Sequence, residues 1–355
     1  MPERKIRMPE ATPHKRRVHY SGKYPKKFEE KYKEQNPEKY ADTVAHVISK
    51  GSTPAGMHIS IMVNEILDFL KIQPGQRGLD ATLGYGGHTR KMLECLKGSG
   101  HIVGLDVDPI ESEKTVRRLR DAGFGEDIFE FELINFAEID KVAEKHGKFD
   151  FILADLGVSS MQIDDPSRGF SYKTEGPLDL RLNPLKGESA AQRLRSITKE
   201  EFVGMLIENS DEPYAEEIAD KVFFRMKNGA PMDTTTELRE AIEAALVRLT
   251  KDERDEAIKK SCARTFQALR IDVNSEFEVL YSFLEKLPTV LNPGGKTAIL
   301  TFHSGEDRLV KKSFKDLKKA GIYSDVSDEV IRPSAEECRI NPRAKSTKMR
   351  WAIKK

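Results

Sequence analysis

The chain has 355 residues, 59 Lys and Arg against 58 Asp and Glu, a net charge of +1 and 38% hydrophobic residues. That is enough apolar material to bury the core of one large or two modest domains, while no apolar run approaches the roughly 18 residues of a membrane span. The start lacks an apolar signal-peptide stretch, and Cys95, Cys262 and Cys338 suit neither a disulfide framework nor a metal knuckle, so a cytoplasmic, reducing location is expected.

Residues 1–56 are polar, with prolines and tyrosines scattered among charges, and read as a basic N-terminal extension. Residues 1–40 alone carry 12 Lys and Arg against 6 Asp and Glu. From residue 57 the character changes. Ile61, Met62, Ile66, Phe69 and Leu70 put apolar residues at helical spacing, and Pro74-Gly75 ends the segment. Short apolar strands then alternate with amphipathic helices: strands at 78–82, 101–106, 129–134 and 149–156, helices at 89–96, 109–121 and 137–146. Such alternation implies βαβ units in a parallel, doubly wound sheet.

The alternation stops near Pro166. Residues 166–262 hold no convincing strand, but Thr198 to Glu201 and Thr234 to Glu237 have capping-box spacing, each before an apolar stripe. An all-helical insertion is expected there, between a first core part at 57–165 and a second at 263–355. In the second part, a Pro293-Gly294-Gly295 turn leads into a strand at 296–302 and a basic amphipathic helix from Glu306. Residues 331–355 close the chain as a basic tail, with 8 Lys and Arg against 2 acids. The net charge is thus a cancellation, basic ends against an acidic body, and the ends are expected to grip a polyanion.

The chemistry concentrates at three strand ends. The first strand runs through Asp80 into Leu83-Gly84-Tyr85-Gly86-Gly87-His88 and then a helix. Glycines there permit a tight turn and close approach of a ligand, and the free N–H groups of a helix start favour a negative group. The second strand ends at Asp106, where a carboxylate can accept from both ribose hydroxyls. The fourth ends at Asp155. Ligands of doubly wound sheets sit at the carboxyl ends of strands, so the three elements share one crevice. The spacing G-x-G-G differs from the dinucleotide G-x-G-x-x-G, which favours S-adenosylmethionine over NAD. His88 is as readily a helix-start residue bonding its own loop as a ligand contact, and Phe136 as readily core as an adenine neighbour.

Longer strings carry a resemblance. Asp80-Ala-Thr-Leu-Gly-Tyr-Gly-Gly-His-Thr89, Asp155-Leu-Gly-Val-Ser-Ser160 with Gln162, and Arg168-Gly-Phe-Ser171 with Gly176-Pro-Leu-Asp179 resemble the 16S rRNA (cytosine-N4)-methyltransferase family, RsmH or MraW. So do Arg264-Thr-Phe-Gln-Ala-Leu-Arg270 with Val273-Asn-Ser-Glu276, Phe302-His-Ser304 with Glu306-Asp-Arg308, and Asn341-Pro-Arg343. The resemblance implies a class I S-adenosylmethionine-dependent methyltransferase fold, Rossmann-like and doubly wound, interrupted by a helical domain. It further implies S-adenosylmethionine as cofactor and small-subunit rRNA or the 30S subunit as partner, methylated at a decoding-centre cytosine; no metal is expected, Asp164-Asp165 reading as a solvated turn before Pro166. Motif by motif, the cofactor contacts fall on Gly86, Gly87, His88, Asp106, Phe136, Asp155 and Gln162.

Asp155 is also the candidate catalytic residue, accepting a hydrogen of the amino nucleophile, and Phe170 or Tyr172 is a candidate platform for an unstacked base. The chain departs from the family pattern in its basic extension, in His58-Ile-Ser-Ile-Met-Val63, and at Gly305, where the family usually has Leu.

Overall fold

The computed structural model describes residues 60–355, so the basic extension expected over 1–56 lies outside the described residues. A first helix α1 (Val63–Leu70) precedes the sheet. Then β1 (Arg77–Asp80), α2 (Gly87–Leu96), β2 (His101–Asp106), α3 (Pro109–Asp121), β3 (Phe129–Leu133), α4 (Ile139–His146) and β4 (Phe149–Asp155) follow in strict alternation. Six further helices come next: α5 (Ser160–Asp164), α6 (Ala190–Ser196), α7 (Lys199–Ser210), α8 (Ala215–Lys227), α9 (Thr235–Ala245) and α10 (Lys251–Asn274). The second half of the sheet is built from α11 (Glu276–Val290), β5 (Leu291–Thr301), α12 (Ser304–Lys319), β6 (Tyr323–Val326), α13 (Ala335–Ile340) and β7 (Lys348–Lys354).

The strands form one seven-stranded sheet in the order β3-β2-β1-β4-β5-β7-β6. Strands β1 to β5 are parallel, and β7 runs antiparallel between β5 and β6. This is the doubly wound class I methyltransferase arrangement. Side chains alternate between its two faces, as a period of two requires. Val103, Ile152, Ala154 and Ile299 join the core on one face, and Ile102, Phe151, Leu153, Ala298 and Leu300 join the core on the other. The strand order reverses between β1 and β4, which is where such sheets open a crevice.

The helical segment has a core of its own, centred on Leu194, Phe202, Leu206, Ile218, Val222, Leu238 and Ile242. The capping boxes expected at Thr198 and Thr234 are formed, with Glu201 and Glu237 as the reciprocal partners. The boundary expected at residue 262 is not where the chain changes domain. Helix α10 continues unbroken across it, and Cys262, Phe266, Ala268 and Leu269 belong to the helical core. Insertion and sheet are tied by Arg168, which is buried and donates to Asp108 at 2.7 Å and to the carbonyls of Arg181 and Leu182 at 3.1 and 2.8 Å.

Two further expectations change. Pro293-Gly294-Gly295 does not precede β5 but bulges from within it, where pairing shifts between Phe149↔Leu291 and Phe151↔Lys296. The basic C-terminus is no free tail. Residues 348–354 form β7, and Arg350 is buried with its Nε 2.6 Å from Asp307. Lys348 joins the same carboxylate at 3.0 Å, and Arg343 pairs with Asp164 at 2.8 Å. The fold takes up the charges of Arg350 and Lys348, while Arg343 stays partly exposed and lines the cavity described below.

Candidate cofactor and active site

At the carboxyl end of β1, the chain turns through Gly84 to Gly87 into α2. Gly86 holds φ of 79°, in the left-handed region, and a Cβ there would stand 2.7 Å from the Thr115 methyl. Only glycine fits both constraints. The turn is pinned from its neighbours: Thr115 Oγ1 donates to the Gly84 carbonyl at 2.6 Å, and the Gly84 N–H donates to Asp106 Oδ2 at 2.8 Å. The other Asp106 oxygen accepts from the Asp108 N–H at 2.9 Å. Each Asp106 oxygen keeps a second lone pair for a ligand hydroxyl. Burial pushes the Asp106 carboxyl up to about 6, against the pull of these backbone hydrogen bonds.

Asp155, the last residue of β4, is held by its N–H donating to Thr82 Oγ1 at 2.6 Å. Its Oδ1 is buried without a hydrogen-bond partner, and its Oδ2 lies 3.5 Å from His88 Nδ1. The opposite nitrogen, Nε2, sits 2.8 Å from the Ile61 carbonyl, an acceptor only. Nε2 therefore carries a proton, and the Nδ1–Asp155 contact is favourable only when one more proton lies between the two groups. Burial pushes the Asp155 carboxyl up to about 6, His88 pulling it down and Asp80 and Glu306 adding to the rise. The ring of His88 is thus engaged by the approach to α1 and by Asp155, and not by its own loop.

One cavity of about 480 Å³ receives all of these groups. Gly86, Gly87, His88, Asp106, Phe136, Asp155 and Gln162 all line it, so every cofactor contact expected from the motifs reaches the same space. Phe136 packs edge-on against Phe283 at 5.1 Å and still faces the cavity. Gln162 is committed on both sides of its amide: Oε1 accepts from the Ser159 N–H at 2.9 Å, and Nε2 donates to Asp108 Oδ2 at 2.8 Å. The glycine turn, the ribose-type carboxylate and the unpartnered Asp155 oxygen suit a nucleoside carrying a charged tail.

The expected aromatic platform is elsewhere. Phe170 and Tyr172 pack into the helical core, Tyr172 against Phe266 at 5.9 Å, and neither lines the cavity. Phe302 does line it, as do Arg270, Glu276 and Glu306. The signal for Phe302 is its place directly after β5, at a strand end on the ligand side of the sheet.

The model of the MraW methylase family matches residues 55–355. The chain belongs to that family. Its cofactor is S-adenosylmethionine. "Ribosomal RNA small subunit methyltransferase H 1" of Lachnoclostridium phytofermentans is 69% identical over 96% of this chain and 93% of its own length. The protein of the same description from Agathobacter rectalis is 68% identical over 98% and 99%. "Ribosomal RNA small subunit methyltransferase H" of Pseudoalteromonas atlantica is 37% identical over 84% of this chain and 98% of its own. The first two alignments must include most of residues 1–56, so the basic extension is shared with these MraW relatives. A solved rRNA methylase of Streptococcus thermophilus is a remote likeness, with a TM-score of 0.39 at 12% identity over 84% of this chain and 98% of that one.

Proposed function

We propose that the protein methylates the exocyclic N4 of a cytosine in the decoding centre of small-subunit rRNA. The relatives' names supply the RNA, and the state of Asp155 carries the chemistry: a carboxylate at a strand end, one oxygen buried and unpartnered in the cavity, the other beside His88. S-adenosylmethionine, when bound, would supply a methyl group made electrophilic by a cationic sulfur, and as nitrogen takes the methyl the carbon–sulfur bond would break and release the neutral thioether S-adenosylhomocysteine. The amino nitrogen of cytosine is a weak nucleophile because its lone pair conjugates with the ring.

The protein's part is to orient that nitrogen and take its proton. Oriented reactants can lower a barrier by about 7–11 kcal/mol. Asp155 Oδ1 accepts a hydrogen bond from the amino group, which localises the lone pair away from the ring. Once nitrogen has bonded the methyl carbon it carries the positive charge, and the N–H proton passes to Asp155. His88 Nδ1, 3.5 Å from Oδ2, is placed to share that proton. The base must leave its stack to reach a cavity this deep, so unpaired or loop RNA is the substrate form.

Mapping N4-methylcytosine in rRNA from cells with and without the gene tests the reading. One small-subunit position should lose the mark, and an unchanged map would sink the assignment. A second reading has its own support. Relatives at 69% and 54% identity carry the numbers H 1 and H 2, whereas one at 37% carries none. A diverged relative with its own target position would leave the decoding-centre mark intact and remove another.

A further inference from the structure

The cavity spans both halves of the sheet. The expected cofactor contacts Gly86, Asp106 and Phe136 follow β1, β2 and β3, on one side of the strand-order reversal. On the other side, the ends of β5, α10 and the starts of α11 and α12 supply Phe302, Arg270, Glu276 and Glu306, and no motif assigns these an occupant.

Arg270 is the unusual member. It is only 14% exposed, and its Nε and Nη2 donate to Glu276 Oε1 and Oε2 at 2.8 and 2.9 Å. Among the described residues, Nη1 has no partner, although Arg270 lines the cavity. Glu306 lies deeper, accepting from the Phe302 N–H at 2.8 Å and standing 3.2 Å from His303 Nε2.

The charges select among ligands. Glu276 cancels the guanidinium, and Glu306 adds a negative charge behind it, so a phosphate or carboxylate would be repelled. Glu276, His303 and Glu306 lie close enough to hold a metal ion, but Arg270 already occupies both Glu276 oxygens and would oppose a second cation. What remains is a pre-oriented N–H donor, its charge offset by Glu276, in the cavity that the Phe302 ring also lines. That combination suits a flat, neutral heterocycle bearing a carbonyl.

We propose that Arg270, held by Glu276, donates through Nη1 to the ring carbonyl of the target base, O2 of the cytosine whose amino group meets Asp155. The assignment rests on the proposed function and deepens it: Asp155 reads the amino edge and Arg270 the carbonyl edge, so uracil and adenine each fail one contact. Glu276 is a positioning residue that fixes the guanidinium plane.

The test compares small-subunit rRNA assembled by ligation with cytidine or 2-thiocytidine at the methylated position, sulfur being a poor acceptor. Wild-type protein should transfer methyl to the thio substrate about tenfold more slowly or worse, since a site built to hydrogen-bond a group rejects its analogue. Arg270→Met should be slower on cytidine yet treat the two substrates within about twofold. Thermal melting and S-adenosylmethionine binding verify that the variant is folded, and Arg270→Lys serves if it is not. Equal rates for wild type on both substrates would overturn the proposal even without a folded variant, as would an Arg270→Met protein that discriminates like wild type. Wild type that transfers nothing to RNA sinks the functional reading itself, a distinguishable result.

Discussion

The role proposed for Asp155 comes from its surroundings. Its carboxyl is raised to about 6 by burial, with His88 opposing. It must be ionised to take a proton, so kcat should climb with pH through about 6 and level off above, falling about tenfold per unit on the acid side. Asp106 is raised to about 6 as well, but its protonation should weaken cofactor binding. Saturating cofactor therefore separates the two. Asp155→Asn should lower kcat by about 10²–10⁴-fold and abolish the acid limb while the melting temperature holds. A labelled-methyl assay between pH 5 and 8 checks both, and a flat profile would remove Asp155 as the proton acceptor. Gly305, where the family usually has Leu, has a local explanation. A Cβ there would stand 2.7 Å from the Phe277 ring, which fills the space a side chain would take and packs on His303 at 5.8 Å.

Among the elements, β1 to β4 and the helices between them are legible in the sequence because each is short, apolar and bounded by Gly, Pro or a capping residue. Strand β7 is not. Its sequence, Lys348 to Lys354, is rich in cations, and these suggest a solvated tail. The structure resolves the charge by pairing: Asp307, on α12, receives Arg350 and Lys348, and its carboxyl is held low by both against the effect of burial. Met349 and Trp351 then face one core, with Trp351 stacked on Phe69 at 4.8 Å, and Ala352 faces the other. Arg350→Met should destabilise the protein by somewhat less than the roughly 3–5 kcal/mol of a broken buried pair, because Lys348 remains. Denaturant unfolding measures this. A variant with unchanged stability but a shallower salt dependence of RNA binding would restore Arg350 as an RNA contact.

At the scale of the whole molecule, the division of charge is sharper than composition by region suggests. Of the C-terminal cations, Lys348 and Arg350 pair with Asp307 and Arg343 with Asp164, Arg339 reaches only its neighbour Glu336, and among the described residues Arg332, Lys345, Lys354 and Lys355 form no ion pair, Lys345 standing at the cavity. The basic extension remains the candidate RNA grip, and relatives at 68% and 69% identity share most of it. Deleting residues 1–50 should weaken RNA binding and flatten the plot of log affinity against log salt by about 0.7 for each phosphate that the extension neutralises. S-adenosylmethionine affinity should not change. Filter binding across a salt series measures the slope, and an unchanged slope would assign the extension another task.

The proposed cofactor half of the cavity can be read from the chain because its residues follow strand ends in local strings, where spacing alone fixes which way a turn and a carboxylate face. Gly86, Asp106 and Asp155 need no knowledge of distant partners. The half proposed for the acceptor base cannot be read this way. Arg270, Glu276, Phe302 and Glu306 come from the ends of three helices and a strand, and whether an arginine there binds a ligand, a carboxylate or water depends on what folds against it. The same holds for the burial of Arg350 and the displacement of Phe170 and Tyr172 into the helical core. Periodicity and turn chemistry act over a few residues and are written in the sequence. Charge pairing and desolvation act between residues far apart in the chain, and only the tertiary structure decides them.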